Sequence, residues 1–206
     1  MGYRIREVFQ SLQGEGPAMG AAASFIRFSG CNLTCSYCDT DHRSGSELTL
    51  DDLVSRVGHG PDRVVITGGE PLLAGEQLVG LAAAISATGR SVDIETNGTI
   101  APPRELSGFV DNYVISPKLS NSGNLPDDRK LAADLPQGPL KFVVDGAEDL
   151  QEVSRIVKTL PGREVIIMPM GTNAEAMVRK MKLLSQPVAA YGWRLLPRLH
   201  ILLGIE

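Results

Sequence analysis

Hydrophobic positions along the chain fall into short β-branched runs, each ending in small, polar or glycine residues. Ser24–Phe28, Val64–Thr67, Val92–Glu95, Tyr113–Ser116, Leu140–Val144 and Val165–Met168 predict strands, and a weaker strand is predicted near Ala190–Leu195. Helical patterns cover Thr49–Val57, Gly75–Thr88, Ala147–Thr159 and Asn173–Leu184. Thr49, followed by Asp51 and Asp52, marks a helix start. Strands alternating with helices predict a mainly parallel sheet covered by helices. Six or seven strands with four clear helices are too few for a closed eightfold barrel. The expected fold class is therefore α/β, an incomplete β/α barrel of about six parallel strands. Residues 1–22 read as an irregular hairpin or cap before the first strand. Residues 117–139 are rich in Pro, Asn and Gly, with at most a short helix near Asp128–Ala133. No linker divides the chain, so residues 1–206 are expected to form one domain.

Composition narrows the class. The chain has 206 residues, 43% hydrophobic and 21% charged, which suits a soluble globular domain and excludes disorder as a global description. Twenty basic against 24 acidic residues give a net charge of −4, with no Lys/Arg run, which disfavours nucleic acid as a partner. Apolar runs break before membrane-spanning length, so no membrane partner is expected. The start MGYRIREVFQSLQGEG has charges where a signal peptide needs apolar residues, and Arg6 stands where myristoylation wants Ser or Thr. The expected compartment is the cytoplasm.

The chain has 3 cysteines, all in the segment Cys31-Asn-Leu-Thr-Cys35-Ser-Tyr-Cys38 after the first predicted strand. Such clustering suits a ligand set rather than a disulfide framework. Three converging thiolates fit a soft metal centre, and a four-iron cluster held by three leaves one iron open to another ligand. His42 permits a second reading, a structural Cys₃His zinc site built from Cys31, Cys35, Cys38 and His42.

CxxxCxxC with Tyr37 before the last cysteine resembles the signature of radical S-adenosylmethionine enzymes. The resemblance implies a 4Fe-4S cluster on Cys31, Cys35 and Cys38. It further implies S-adenosylmethionine on the open iron, cleaved to a 5′-deoxyadenosyl radical. It places Tyr37, Cys38 and Asp39 at the cofactor. Thr67-Gly68-Gly69-Glu70-Pro71 follows a strand, and in this superfamily Gly69 and Glu70 face the methionine amino group. Without the cysteines the segment would read as an ordinary strand-to-helix turn with Pro71 near its start. Ser116, Pro117 and Lys118 are implied to touch the cofactor's ribose and carboxylate. Met168, Pro169, Met170 and Gly171 stand where the family carries a Q-P-x-D-like segment; Gln and acid are missing here, which leaves backbone contacts.

Further motifs narrow the resemblance to the 7-carboxy-7-deazaguanine synthases. These are Gln13-Gly14-Glu15-Gly16, Phe25-Ile26-Arg27-Phe28, Cys38-Asp39-Thr40-Asp41, Glu95-Thr96-Asn97-Gly98 and the final R-L-x-P-x-x-H, Arg194–His200. The family implies ring contraction of 6-carboxy-5,6,7,8-tetrahydropterin with release of ammonia, on the route to queuosine. Carried over residue by residue, Arg27 would grip the substrate carboxylate as a two-donor fork. Leu12, Gln13, Gly14 and Glu15 would read the pterin edge. Thr67 would add a hydrogen bond, and Thr40 would ligate Mg2+ with help from substrate oxygens. His200 and Glu206, in a closing segment spanning residues 190–206, would shut the pocket. A homodimer and an external one-electron donor such as a flavodoxin are also implied. Rival readings are a glycyl-radical activase, which shares the cysteines and Gly-Gly-Glu, and a zinc-stabilised binding module using His42. Residue by residue, Arg27 also reads as a snorkelling edge-strand side chain, Lys118 as solvated, and Thr40 as a turn residue.

Overall fold

The computed structural model describes residues 2–205; Glu206 lies outside the described residues. The strands are β1 (Tyr3–Leu12), β2 (Ala22–Phe28), β3 (Ser46–Leu48), β4 (Arg63–Gly68), β5 (Ser91–Thr96), β6 (Asn112–Ile115), β7 (Leu140–Val144), β8 (Val165–Pro169) and β9 (Arg194–Leu195). The helices are α1 (Leu50–Val57), α2 (Glu76–Ser86), α3 (Asp149–Thr159), α4 (Ala174–Ala190) and α5 (Leu199–Leu203). All strands join one sheet in the order β3-β1-β2-β4-β5-β6-β7-β8-β9. From β2 through β9 every neighbouring pair is parallel, while β1 is antiparallel to both β2 and β3. The edges β3 and β9 do not pair, so the barrel is open, as expected.

Alternation along the strands sorts side chains into two layers. Ile26 and Phe28, Val64 and Ile66, and Val92 and Ile94 point outward and pack with Leu53 and Val57 of α1 and Leu78, Leu81 and Ile85 of α2. Leu140, Phe142, Val144, Val165 and Ile167 do the same against Leu150 and Val153 of α3 and Leu184 and Val188 of α4. Alternate positions face inward, where Phe25 and Val65 pack with Phe9. Arg27, Thr67, Glu95 and Lys141 share that inner parity. Thr49 closes α1 with a capping box through Asp52, as its position suggested.

Four expectations need correction. Residues 3–12 are not irregular: they form the ten-residue strand β1. Its register shifts between Ile5 and Glu7, a bulge that moves the chain from the outer layer to the inner one and breaks the period-2 pattern. The predicted strand near Ala190–Leu195 shrinks to Arg194–Leu195, because α4 runs on through Pro187 to Ala190. The buried stripe Met177, Leu184, Val188 carries the helix past the proline, whose interior placement costs about 3 kcal/mol. No helix forms near Asp128–Ala133; the irregular stretch contains a short 3₁₀ turn, Ser120–Ser122. The helix α5 was not anticipated. Among the described residues no helix is long and apolar enough to cross a membrane.

Candidate active site

Parallel register sets Arg27 of β2 beside Thr67 of β4, and Thr67 reaches Glu95 of β5 with a 2.9 Å hydrogen bond from Oγ1 to Oε2. These residues form a polar row across the inner face near the carboxyl ends of the strands, where open α/β sheets place their ligands. The bulge brings Glu7 to the row's other end, and Arg27 Nε donates to Glu7 Oε1 at 2.7 Å. The Arg27 guanidinium also lies over Phe9, 5.4 Å from the ring centre, so the snorkelling alternative does not describe it. Its Nη1 donates to Thr40 Oγ1 at 3.3 Å, tying the row to the loop after the cysteines.

A second set of charges closes over this row. Gln13 donates to Glu95 Oε1 at 3.1 Å and accepts from the Glu15 backbone N–H at 3.1 Å. Glu15 Oε2 pairs with Lys141, and Oε1 accepts from Arg198 Nε at 3.0 Å. Arg198 also pairs with Asp39 and donates to the Gly171 carbonyl at 3.4 Å. The side chains of Lys141 and Arg198 are 6% and 9% exposed, so these ion pairs are largely desolvated. Burial alone would raise the Glu15 carboxyl, but the facing Lys141 and Arg198 cations hold it well below the usual carboxylate range. Lys141 is pushed down by burial and more strongly up by Glu15 and Glu95, with a net rise. Partial burial raises Asp39, yet the neighbouring His200 ring and the Arg198 charge bring it down to about 2. At neutral pH Glu15, Asp39, Lys141 and Arg198 are thus all charged. His200 Nε2 stands 3.8 Å from Asp39 Oδ2, and the Leu199 N–H donates to the Gly14 carbonyl at 2.9 Å. A side chain at position 14 would strike the His200 ring. The chain's two ends therefore meet over the row.

The three cysteines are free thiols in the loop after β2. The Leu33 N–H donates to Cys31 Sγ at 3.4 Å, and Asn124 Nδ2 donates to Cys35 Sγ at 3.2 Å. Unpaired soft donors supplied with N–H groups suit an iron–sulfur cluster. A zinc ion would draw four ligands into one sphere. Among the described residues no three His, Cys, Asp or Glu side chains are gathered around a single point, the three cysteines and His42 included. The Gly-Gly-Glu-Pro turn lies against the loop: the Gly69 N–H donates to Phe28 O at 3.1 Å and the Glu70 N–H to Gly30 O at 2.9 Å. Any side chain at position 69 would collide with Gly30 and Cys31, so glycine is required by close approach.

Glu70 itself turns inward and is 1% exposed. It accepts from the Leu72 N–H, the Thr96 hydroxyl and the Asn97 N–H at 3.0, 2.9 and 2.7 Å. Burial raises its carboxyl despite these bonds. These three contacts build the turn. Ser116 accepts from Lys118 at 2.9 Å, and Lys118 is not a solvated lysine: burial and nearby Lys141 lower it. Met168 and Pro169 are buried apolar residues, so that segment offers only backbone, chiefly the Gly171 carbonyl already bound by Arg198. Leu12 is 37% exposed at the end of β1. Tyr37 is raised by burial, beside Cys35. A cavity of about 500 Å³ beside Pro117, Lys118, Arg129 and Glu152 abuts α3 and contains none of the cysteines. Glu95 was named in the Glu95–Gly98 motif without a role, and Lys141, Arg198 and Glu7 were not singled out from the sequence, although a charge inside a buried strand such as Leu140–Val144 is itself a signal.

Residues 25–162 match the family model of the radical SAM superfamily, more than half of the chain. The chain belongs to the radical S-adenosylmethionine enzymes, which carry a 4Fe-4S cluster and use S-adenosylmethionine. It is 40% identical over 212 residues to the 7-carboxy-7-deazaguanine synthase of Pyrobaculum aerophilum, covering 97% of this chain and 93% of the relative. It is 36% identical over 204 residues to the enzyme of that name from Bacteroides thetaiotaomicron, covering 98% of each chain. Within the superfamily the chain therefore belongs to the 7-carboxy-7-deazaguanine synthases. Among solved structures it resembles QueE from Escherichia coli, with a TM-score of 0.76, 26% identity and coverage of 97% of this chain and 95% of that one.

Proposed function

We propose that this chain converts 6-carboxy-5,6,7,8-tetrahydropterin to 7-carboxy-7-deazaguanine with release of ammonia, in 7-deazapurine biosynthesis. The observation that carries the reading is the polar and charged inner face, Arg27, Thr67, Glu95, Lys141 and Glu15, roofed by Arg198 and His200 beside three free thiols. Cys31, Cys35 and Cys38 would hold the cluster. Cluster and S-adenosylmethionine together supply an organic radical when bound. The residues of this chain bind and orient the substrate and exclude water.

Arg27 has a fork of five N–H donors, of which Glu7 and Thr40 engage two among the described residues, leaving donors for a carboxylate. Glu15 uses one lone pair on each oxygen for Lys141 and Arg198; the remaining pairs can accept from the pterin's amino and ring N–H groups. Gln13 and Thr67, both fixed on Glu95, present the adjoining polar edge. Thr40 is a neutral oxygen already accepting from Arg27, so Mg2+ would reach it only with the substrate carboxylate supplying charge. Backbone of the Gly69 turn and the Ser116–Lys118 segment would line the cofactor side.

We further propose a single-domain protomer that acts as a cytoplasmic homodimer, reduced by a flavodoxin-like donor. Incubating the reconstituted protein with the carboxylated tetrahydropterin, S-adenosylmethionine and a reductant tests the reaction. The product should have lost one ammonia; an unaltered pterin beside active cofactor cleavage would contradict the assignment.

A further inference from the structure

Asn124 lies in the irregular stretch between β6 and β7, far in sequence from the cysteines, yet it is wedged into their loop. Its Oδ1 accepts from the Thr34 N–H at 2.8 Å. Its Nδ2 donates to Ser122 Oγ at 3.1 Å and to Cys35 Sγ at 3.2 Å. The amide's orientation is chemically determined. A backbone N–H must meet the oxygen, which leaves the NH₂ group to face the sulfur. The neighbourhood fixes the side chain further. Ser122 is fully buried and its hydroxyl donates to Leu119 O at 2.7 Å, while the Ser36 N–H donates to Ser122 O at 2.9 Å. The segment 119–124 and the cysteine loop are thus fastened together on both sides of Cys35.

An N–H donor aimed at a thiolate ligand withdraws charge from sulfur and stabilises the more negative, reduced form of an iron–sulfur cluster. We propose that Asn124 is a positioning residue that hydrogen-bonds the Cys35 ligand and raises the reduction potential of the cluster, easing electron entry from an external donor. The inference rests on Cys35 being a cluster ligand, as read above. The Thr34 anchor and the sulfur contact come from opposite ends of one amide, so they can be separated. Asn124→Asp keeps an oxygen for Thr34 and replaces the donor by an acceptor. Asn124→Ala removes both.

The test is a redox titration of the reconstituted 4Fe-4S chain, followed by electron paramagnetic resonance, with iron and sulfide content measured alongside. Both variants should hold the cluster and be harder to reduce. The reduced-to-oxidised ratio at a fixed potential should fall about three- to tenfold, or about 30–60 mV for a one-electron couple. A loaded variant titrating with the wild type would overturn the proposal. So would loss of the cluster from both variants, which would make Asn124 a builder of the loop rather than a tuner of sulfur. A Cys35→Ala chain that still holds a complete cluster would refute the ligand assignment instead, which separates the two failures.

Discussion

The Gly-Gly-Glu-Pro turn and the inner charged row sit within a few residues of each other, yet they use carboxylates in opposite ways. Glu70 spends its oxygens on three donors of its own protein and is sealed from solvent. Glu15 faces two buried cations and keeps acceptor capacity to spare. A carboxylate buried among backbone donors fixes backbone, and a cation-flanked one stays ionised and ready for a ligand. The family motif draws attention to the first, whereas the second holds the chemistry that would recognise a substrate.

Breaking the turn should have the largest effect. Glu70→Ala strands the buried N–H groups of Leu72 and Asn97, each worth about 1–3 kcal/mol, and should destabilise the cofactor-free chain by about 3–5 kcal/mol in denaturant. A loss under about 1 kcal/mol would show that the turn holds without its carboxylate. Lys141→Met comes next, at about 3 kcal/mol, because it leaves Glu15 with one cation in a desolvated site. Adding Glu15→Gln should restore at least about 1 kcal/mol, the non-additivity expected of a coupled pair. The same pair sets a pH dependence. The folded Glu15 carboxyl lies below its unfolded value of 4.5, so the unfolded chain binds the extra proton. The stabilisation is present above pH 4.5 and is lost as pH falls below it, and Glu15→Gln should flatten that slope. An equally steep loss in Glu15→Gln would assign it to other carboxylates.

Much of this architecture was legible in the chain. Strands buried on both faces announce themselves as β-branched runs, and the cysteine spacing marks its loop directly. The strand β1 was hidden because its bulge between Ile5 and Glu7 exchanges faces midway, which no fixed period describes. The roof over the site was hidden for another reason. Lys141 and Arg198 meet Glu15 across 126 and 183 residues, and no local pattern reports such a pairing. Gln13, Glu15, Arg27 and Glu95 were found through motif resemblance, whereas the pairing of Gln13 with Glu95 and the partners Lys141 and Glu7 needed the register. Glu70 shows the converse: its motif was legible in the chain, but the three donors that hold its side chain were not.

Smaller effects probe the row itself. Arg27→Lys keeps the charge and loses the fork, and Arg27 is 22% exposed, so stability should change by under about 1 kcal/mol. Cluster content should be unchanged. Thr40→Val should have the smallest effect. It removes one neutral oxygen, blunting the response of turnover to magnesium while leaving cluster content intact, and Thr40→Ser should keep the response. An undiminished magnesium response in Thr40→Val would remove Thr40 from the metal site.

Recognition of a carboxylated pterin by the charged inner row is tested by a direct affinity comparison. Binding of 6-carboxy-5,6,7,8-tetrahydropterin and of the same ring lacking the carboxylate should be measured by calorimetry on wild type and Arg27→Lys. The account predicts that wild type prefers the carboxylated compound by on the order of 10–100-fold and that Arg27→Lys loses most of that preference. Equal affinity for the two compounds in wild type, or a preference untouched by Arg27→Lys, would contradict it.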